Sequence, residues 1–130
     1  MNAALLARFA EVLRASLRHH FFDEPRWFTP VLSLPFDRGR SHLVIVLENP
    51  GPFAFLRSQS PFAGADAPAR FTVLNGAQVE DISVDGRTLH LDVVTRRDRE
   101  ALRLRVALYG ANGHAVLVRG TSVLETVGRA

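Results

Sequence analysis

Cysteine is absent from this 130-residue chain, and so is lysine. Without cysteine there is no disulfide, no thiolate nucleophile and no cysteine-ligated metal, which fits a reducing, cytoplasmic location. Without lysine, all 16 basic residues are arginine. A GC-rich coding sequence produces that bias by itself. It also equips the chain with the side chain best suited to phosphate and to stacked bases. Long apolar runs are missing too: a membrane span needs roughly 20 consecutive apolar residues. The opening MNAALLARFAEVLRASL is interrupted by Arg8, Glu11 and Arg14 and lacks a basic start, so it does not read as a signal peptide.

The familiar catalytic signatures are also lacking. No serine sits in a nucleophile-elbow pattern, so Ser41-His42 with scattered aspartates makes a poor triad. There is no P-loop and no dinucleotide fingerprint. Gly110, Gly113, Gly120 and Gly128 are spaced as strand turns instead. His19-His20 with Asp23 and Glu24 could be taken for a metal cluster. Adjacent side chains diverge on a strand or a helix, so a solvated loop fits better and no metal or cofactor is expected. The carboxylate pairs Asp23-Glu24 and Glu80-Asp81 are sequence neighbours, expected to face opposite sides of a strand.

What remains is ample for a fold. Hydrophobic residues make up 47% of the chain, enough for a core, and 22% charged residues argue against disorder. The length suits one domain over residues 1–130. The net charge of +3 permits nucleic-acid binding without demanding it.

Residues 3–18 read as an amphipathic helix. Leu5, Leu6, Phe9, Val12, Leu13, Ser16 and Leu17 fall at helical spacing and Asn2 is placed as N-cap. The apolar stripe is expected to pack on a sheet. Residues 19–30 hold Pro25 and Pro30, which bar a helix. A loop or short edge strand is expected there, tucking Phe21, Phe22, Trp27 and Phe28 against the core.

Strands are expected at 31–35 and 42–47, paired across the turn FDRGRS, then a turn at 48–52 and a strand at 53–57. Residues 58–70 are small, polar and proline-rich and read as a linker. Residues 71–74 suit a helix stub or a strand, and Asn75-Gly76 a tight turn. Strands at 79–84 and 88–95 pair across Asp85-Gly86, taken as a type I′ signal. Strands at 101–108, 115–118 and 123–127 complete an antiparallel meander. The two halves, about 1–57 and 71–130, share an order of elements that suggests a weak internal duplication. The expected class is α+β, mainly antiparallel β: a β-sandwich of two meander-like halves with an N-terminal amphipathic helix.

The densest basic run is Arg96, Arg97, Arg99, Arg103 and Arg105. Arg103 and Arg105 alternate with Leu102, Leu104 and Val106 and so share one sheet face, while Arg96 and Arg97 sit at a hairpin tip. One reading is a solvated outer face shared with Asp98 and Glu100. The other is a phosphate-contacting patch. No aromatic residue interleaves with the run, which argues against a base-stacking platform there.

The ending LRLRVALYGANGHAVLVRGTSVLETVGR, with Asn75-Gly76-Ala77-Gln78-Val79 before it, resembles the N-terminal domain of the NFACT family, which includes the bacterial fibronectin-binding protein A proteins. The resemblance implies a fold related to the N-terminal domain of formamidopyrimidine-DNA glycosylases. It also implies association with tRNA or ribosomal RNA on the large ribosomal subunit, in ribosome-associated quality control. In that family an Asp-Arg pair before a strand takes part in tRNA contacts. Here Arg87 matches the arginine, Gly86 stands in the aspartate's place, and Asp85 lies one position early. The family's Arg-His-Ser-Asn turn has become Ala111-Asn112-Gly113-His114. Glycosylase chemistry is not implied, because that lineage uses an N-terminal proline and this chain begins Met-Asn-Ala. Ending at Arg129-Ala130, where the family continues into a next domain, suits a whole gene product and an excised domain equally.

The reading that follows is a non-enzymatic RNA-binding module with no membrane partner. Its candidate contacts are Asp85, Arg87, Arg96, Arg97, Arg103 and Arg105. The alternative is a protein-interaction or structural domain that has lost its RNA contacts, with the aromatic segment 21–28 as a homodimer interface.

Overall fold

The computed structural model describes residues 1–48, 51–62, 64–110 and 112–128. One helix, α1 (Ala3–Leu17), precedes the strands β1 (Arg26–Phe28), β2 (Val31–Phe36), β3 (Ser41–Val46) and β4 (Phe53–Arg57). After a short 3-10 turn at Thr72–Leu74 come β5 (Gln78–Asp85), β6 (Thr88–Val94), β7 (Ala101–Ala107), β8 (His114–Arg119) and β9 (Ser122–Gly128). They form two sheets, ordered β1-β2-β3-β4 and β5-β6-β7-β8-β9. Every neighbouring pair is antiparallel. The chain is therefore α+β and mostly antiparallel β, with the strands of the second sheet where alternation placed them.

The period-2 pattern explains the second sheet's two faces. Leu89, Leu91 and Val93 on β6 and Leu102, Leu104 and Val106 on β7 are buried, while His90, Asp92, Arg103 and Arg105 point away from the core. The buried cluster also takes Leu34 and Ile45 from the first sheet and Leu6, Leu13 and Leu17 from α1. Asn2 caps α1, its Oδ1 accepting from the Leu5 N–H at 2.8 Å. The buried stripe of α1 is Leu6, Ala10, Leu13 and Leu17, narrower than expected. Leu5 and Val12, at 53% and 55% exposure, lie outside it. The helix lies beside the edge strand β5, so only one flank of its apolar stripe meets the core.

A strap, residues 19–23, extended after the left-handed turn residue His19 (φ 72°), joins the two sheets. On one side the His19 N–H donates to Val79 O at 2.7 Å, the Val79 N–H to His20 O at 2.9 Å and the Phe22 N–H to Ala77 O at 2.8 Å. On the other side the Asp23 N–H donates to Pro35 O at 2.8 Å and the Asp37 N–H to Phe21 O at 3.0 Å. Phe22 therefore points inward, 2% exposed, its ring 4.5 Å from that of Phe36. Phe21 points outward and is 50% exposed. This corrects the expectation that all four aromatics of the segment tuck inward: successive side chains of an extended strap face opposite ways.

A second stitch lies at the far end. The Gly113 N–H donates to Leu47 O at 2.7 Å. A Cβ on Gly113 would stand 2.6 Å from Ala107 O, so no other residue fits that approach without a shift. Residues 68–70 do more than link. The Trp27 N–H donates to Pro68 O at 3.0 Å and the Arg70 N–H to Pro25 O at 3.1 Å, which covers the open edge of β1.

Two local expectations are corrected. The β5–β6 turn is Gly86-Arg87, with Asp85 still in the strand opposite Thr88. Only Gly86 of that turn has positive φ (59°), the glycine-first pattern of a type II′ turn, whereas type I′ needs both central residues positive. Glu80 and Asp81 do not face opposite sides. A bulge between Val79 and Asp81 inserts an extra residue, so Val79 and Ile82 both reach the core and the two carboxylates lie outside it. Of the two alternatives for residues 71–74 the helix stub is the one formed: Thr72–Leu74 is the 3-10 turn, led by Phe71 in the left-handed region at φ 52°. Asn49 and Pro50 of the expected 48–52 turn, and Ala111 and Arg129 of the family-like ending, lie outside the described residues.

If Phe22 anchors the strap, Phe22→Ala should lower stability by about 3–5 kcal/mol, the usual cost of emptying a buried phenylalanine site. The midpoint of urea unfolding measures it. A cost below about 1 kcal/mol would show that the strap does not need its anchor.

Candidate nucleic-acid interface

The six residues singled out from sequence do not form one site. Asp85 and Arg87 sit at the β5–β6 turn, and Arg96 and Arg97 on the β6–β7 loop. These lie at opposite ends of β6, whose seven residues alone span roughly 20 Å at about 3.3 Å per residue. The β6–β7 loop is pinned: the Thr95 N–H donates to Glu100 O at 2.9 Å and the Glu100 N–H to Thr95 Oγ1 at 3.0 Å. Its tip thus presents Arg96 and Arg97 from a fixed base.

Arg103 and Arg105 occupy the outer face of the second sheet between those two ends. Arg103 is cross-strand from Asp92 and donates to both of its oxygens, at 2.6 and 3.1 Å. That hydrogen-bonded pair raises the Arg103 pKa further. Arg105 is cross-strand from His90. A shallow concavity of about 420 Å³ is lined here by Glu80, His90, Asp92, Arg103 and Arg105. Two carboxylates offset two guanidinium groups, so this face is close to neutral. Arg119 on β8 is likewise held by Glu100. The solvated-face reading thus describes Arg103 better than the phosphate-patch reading. Such an exposed pair contributes at most about 1 kcal/mol to stability.

His90 sits among these charges with its Nδ1 buried and without a hydrogen-bond partner among the described residues. Burial, and then the neighbouring Arg103, push its pKa down from the ordinary histidine value.

A different basic cluster was not visible in sequence. The turn after β2 carries Arg38 and Arg40, and the β6–β7 loop brings Arg96 to the same place. With Phe21, Asp23, Asp37, Asn75 and Gly76 they line a concavity of about 590 Å³ where the strap joins the two sheets. Gly76 makes this convergence possible. Its φ is +80°, and a Cβ there would stand 2.9 Å from the Arg96 Cδ. The Asn75-Gly76 turn therefore serves both the chain reversal and the seating of Arg96.

Asp23 and Asp37 leave this concavity with three guanidinium groups against two carboxylates, and both carboxylates are hydrogen-bonded elsewhere rather than to the arginines. Asp23 Oδ2 accepts from the Gly39 N–H at 2.9 Å. Asp37 accepts from the Phe21 N–H at 3.3 Å and pairs with His20 Nδ1. Among the described residues, no carboxylate lies within ion-pair distance of Arg38, Arg40 or Arg96. Three exposed arginines without a carboxylate partner thus line one hollow. Their turn is held in an unusual shape, with Asp37 and Arg38 at φ 52° and 59°. The FDRGRS turn was legible as a turn, but its meeting with a loop more than fifty residues away was not.

Of the side chains of His19, His20, Asp23 and Glu24, for which a solvated loop is the expected reading, the last three take separate partners. His20 pairs with Asp37, and Glu24 with Arg26 at 2.7 Å. No group of three or more metal-ligating side chains occurs among the described residues. Among the described residues, no helix is long and apolar enough to cross a membrane.

No protein-family model matches the chain, and no curated protein matches it. Among solved structures, the N-terminal domain of the fibronectin-binding protein PavA from Streptococcus pneumoniae is similar, with a TM-score of 0.76 and 19% identity. The match covers 96% of this chain and 52% of that one, so the chain spans about half the length of that structure. At this identity the likeness is one of fold.

The His90 shift carries a testable sign. A histidine whose folded pKa lies below its unfolded one binds fewer protons when folded, so stability is lost as pH falls below about 6.5. Urea unfolding at pH 7.5 and 5.5 should show a larger acid loss in the wild type than in His90→Gln. Equal losses would remove His90 from the pH dependence.

Proposed function

We propose that the chain is a non-enzymatic RNA-binding module of the NFACT N-terminal type, in which arginines without carboxylate partners contact phosphates. The observation that carries this reading is the convergence of Arg38, Arg40 and Arg96 on one hollow. The fold likeness to the PavA domain supports the family assignment, and with it a β-sandwich of glycosylase N-terminal type. On this reading the partner is tRNA or ribosomal RNA on the large ribosomal subunit, in the cytoplasm and in ribosome-associated quality control. Arg87 is a second, separate contact, carried over from the family's motif.

Phosphate contacts release counterions, so affinity falls steeply with salt. Fluorescence anisotropy with labelled tRNA should show binding that weakens from 50 to 200 mM salt. The double variant Arg38→Ala/Arg96→Ala should lose roughly tenfold or more and flatten the log–log salt slope by about 0.7–0.9 per lost contact. Arg87→Ala should add its own smaller loss, since distant sites act independently. Arg103→Ala, which removes a guanidinium already paired with Asp92, should stay within about twofold. No binding above a neutral control protein at moderate salt would end the proposal.

A second reading, a protein-interaction domain, draws on β9. It is an edge strand, and Val123 and Leu124 on it are 62% and 38% exposed, near Tyr109 at 46%. The segment 21–28 offers less apolar surface for a homodimer: Phe22 is buried and Phe28 stacks on Phe62 at 4.2 Å. Light scattering separates the readings. A concentration-dependent dimer would favour self-association, and a monomer at high concentration would count against it.

A further inference from the structure

Phe21 is an exposed aromatic ring in the same hollow as three unpaired arginines, and its backbone is held from both sides. Its N–H donates to Asp37 Oδ1 at 3.3 Å, and its carbonyl accepts from the Asp37 N–H at 3.0 Å. It also bridges to Gln78 on β5. The next residue, Phe22, is buried in the core. The ring is therefore carried on a fixed backbone, so little is lost in ordering it when a flat ligand lies against it. Half of its surface is open. An exposed, rigidly mounted phenylalanine does nothing for the core, which Phe22 and Phe36 already fill.

We infer that this hollow takes an unstacked nucleotide of single-stranded or looped RNA, with a base stacked on Phe21 and the flanking phosphates on Arg38, Arg40 and Arg96. This rests on the RNA-binding reading above and names the form of RNA. Guanidinium groups alone would accept any polyanion, duplex included. An aromatic face beside them adds a contact that only a splayed base can make, because the bases of a duplex are stacked and out of reach. The volume of about 590 Å³ is within the range of small-ligand sites and has room for a single nucleotide. Three guanidinium groups match the phosphates on either side of it.

The test is anisotropy of the full 130-residue chain with three labelled probes: a single-stranded oligouridine, an RNA duplex of equal charge, and heparin, a polyanion without bases. The oligouridine should bind about tenfold or more tightly than the duplex. Phe21→Ala should weaken oligouridine binding by about tenfold, from the typical worth of one stacked base, and leave duplex and heparin binding unchanged. Phe21→Leu, which keeps the apolar bulk but has no π face, should lose as much as Phe21→Ala, and Phe21→Trp should restore binding. If single strand and duplex bind alike and Phe21→Leu binds as wild type, while Arg38→Ala/Arg96→Ala still weakens both, the base platform is wrong and the RNA reading stands. If neither RNA binds, both fall. If Phe21→Ala weakens heparin as much as oligouridine, Phe21 acts through the shape of the hollow and the inference is overturned.

Discussion

The backbone of residues 19–23 hydrogen-bonds on both of its edges, to residues 76–79 on one side and to residues 35–37 on the other. A single extended segment thus satisfies the start of β5 and the end of β2 together. Neither sheet could offer those groups to solvent and still close the core over Phe22, Phe36 and Phe71, all essentially buried. The alternation of an extended chain then decides the rest. Phe22 goes in, Phe21 goes out, and the turn carrying Arg38 and Arg40 is brought beside the turn at Gly76.

Edge protection follows the same logic. The outward carbonyls of β5 accept from Arg14 of α1 and from Arg18, which caps its C-terminus: Ile82 O from Arg14 at 3.0 and 2.7 Å, and Glu80 O from Arg18 at 3.1 Å. The helix therefore closes an edge that would otherwise be a template for another strand. Residues 68–70 close β1 in the same way. Arginine does structural work in these places, and Arg26 adds another example by donating to Ala67 O at 2.8 Å. A chain with no lysine has to divide its guanidinium groups among edges, ion pairs and open surface. Arg14, Arg18 and Arg26 serve the first, with Arg14 and Arg26 also pairing with Asp81 and Glu24; Arg103 and Arg119 serve the second, and Arg38, Arg40 and Arg96 the third.

The regular parts of this fold were legible because they are periodic. The stretch 89–127 alternates so cleanly that β6 to β9 could be placed within a residue or two, and the Asn2 cap follows from one residue type before an apolar stripe. Register carries the information that alternation alone does not. Asp92 lies opposite Arg103 only because the β6–β7 loop closes through Thr95 and Glu100. That pairing turns a row of arginines into a near-neutral face. The bulge at Glu80 leaves no mark for a similar reason: one extra residue keeps the sequence looking like an ordinary strand. The hollow at the junction was invisible because its parts come from residues 21–23, 37–40, 75–76 and 96, and no local pattern joins them. The family resemblance pointed to Arg87, which the fold places at the opposite end of β6 from Arg96.

The account rests on one claim: that the strap gathers Phe21, Arg38, Arg40 and Arg96 into the surface that meets RNA. A backbone amide titration by nuclear magnetic resonance, with an RNA hairpin carrying a single-stranded loop, tests it residue by residue. The predicted result is a cluster of shifted amides at residues 20–23, 37–40, 75–76 and 96–97, with a lesser response near Arg87. Shifts confined to the outer face of β6 and β7 or to β9, or no shifts at all, would contradict it.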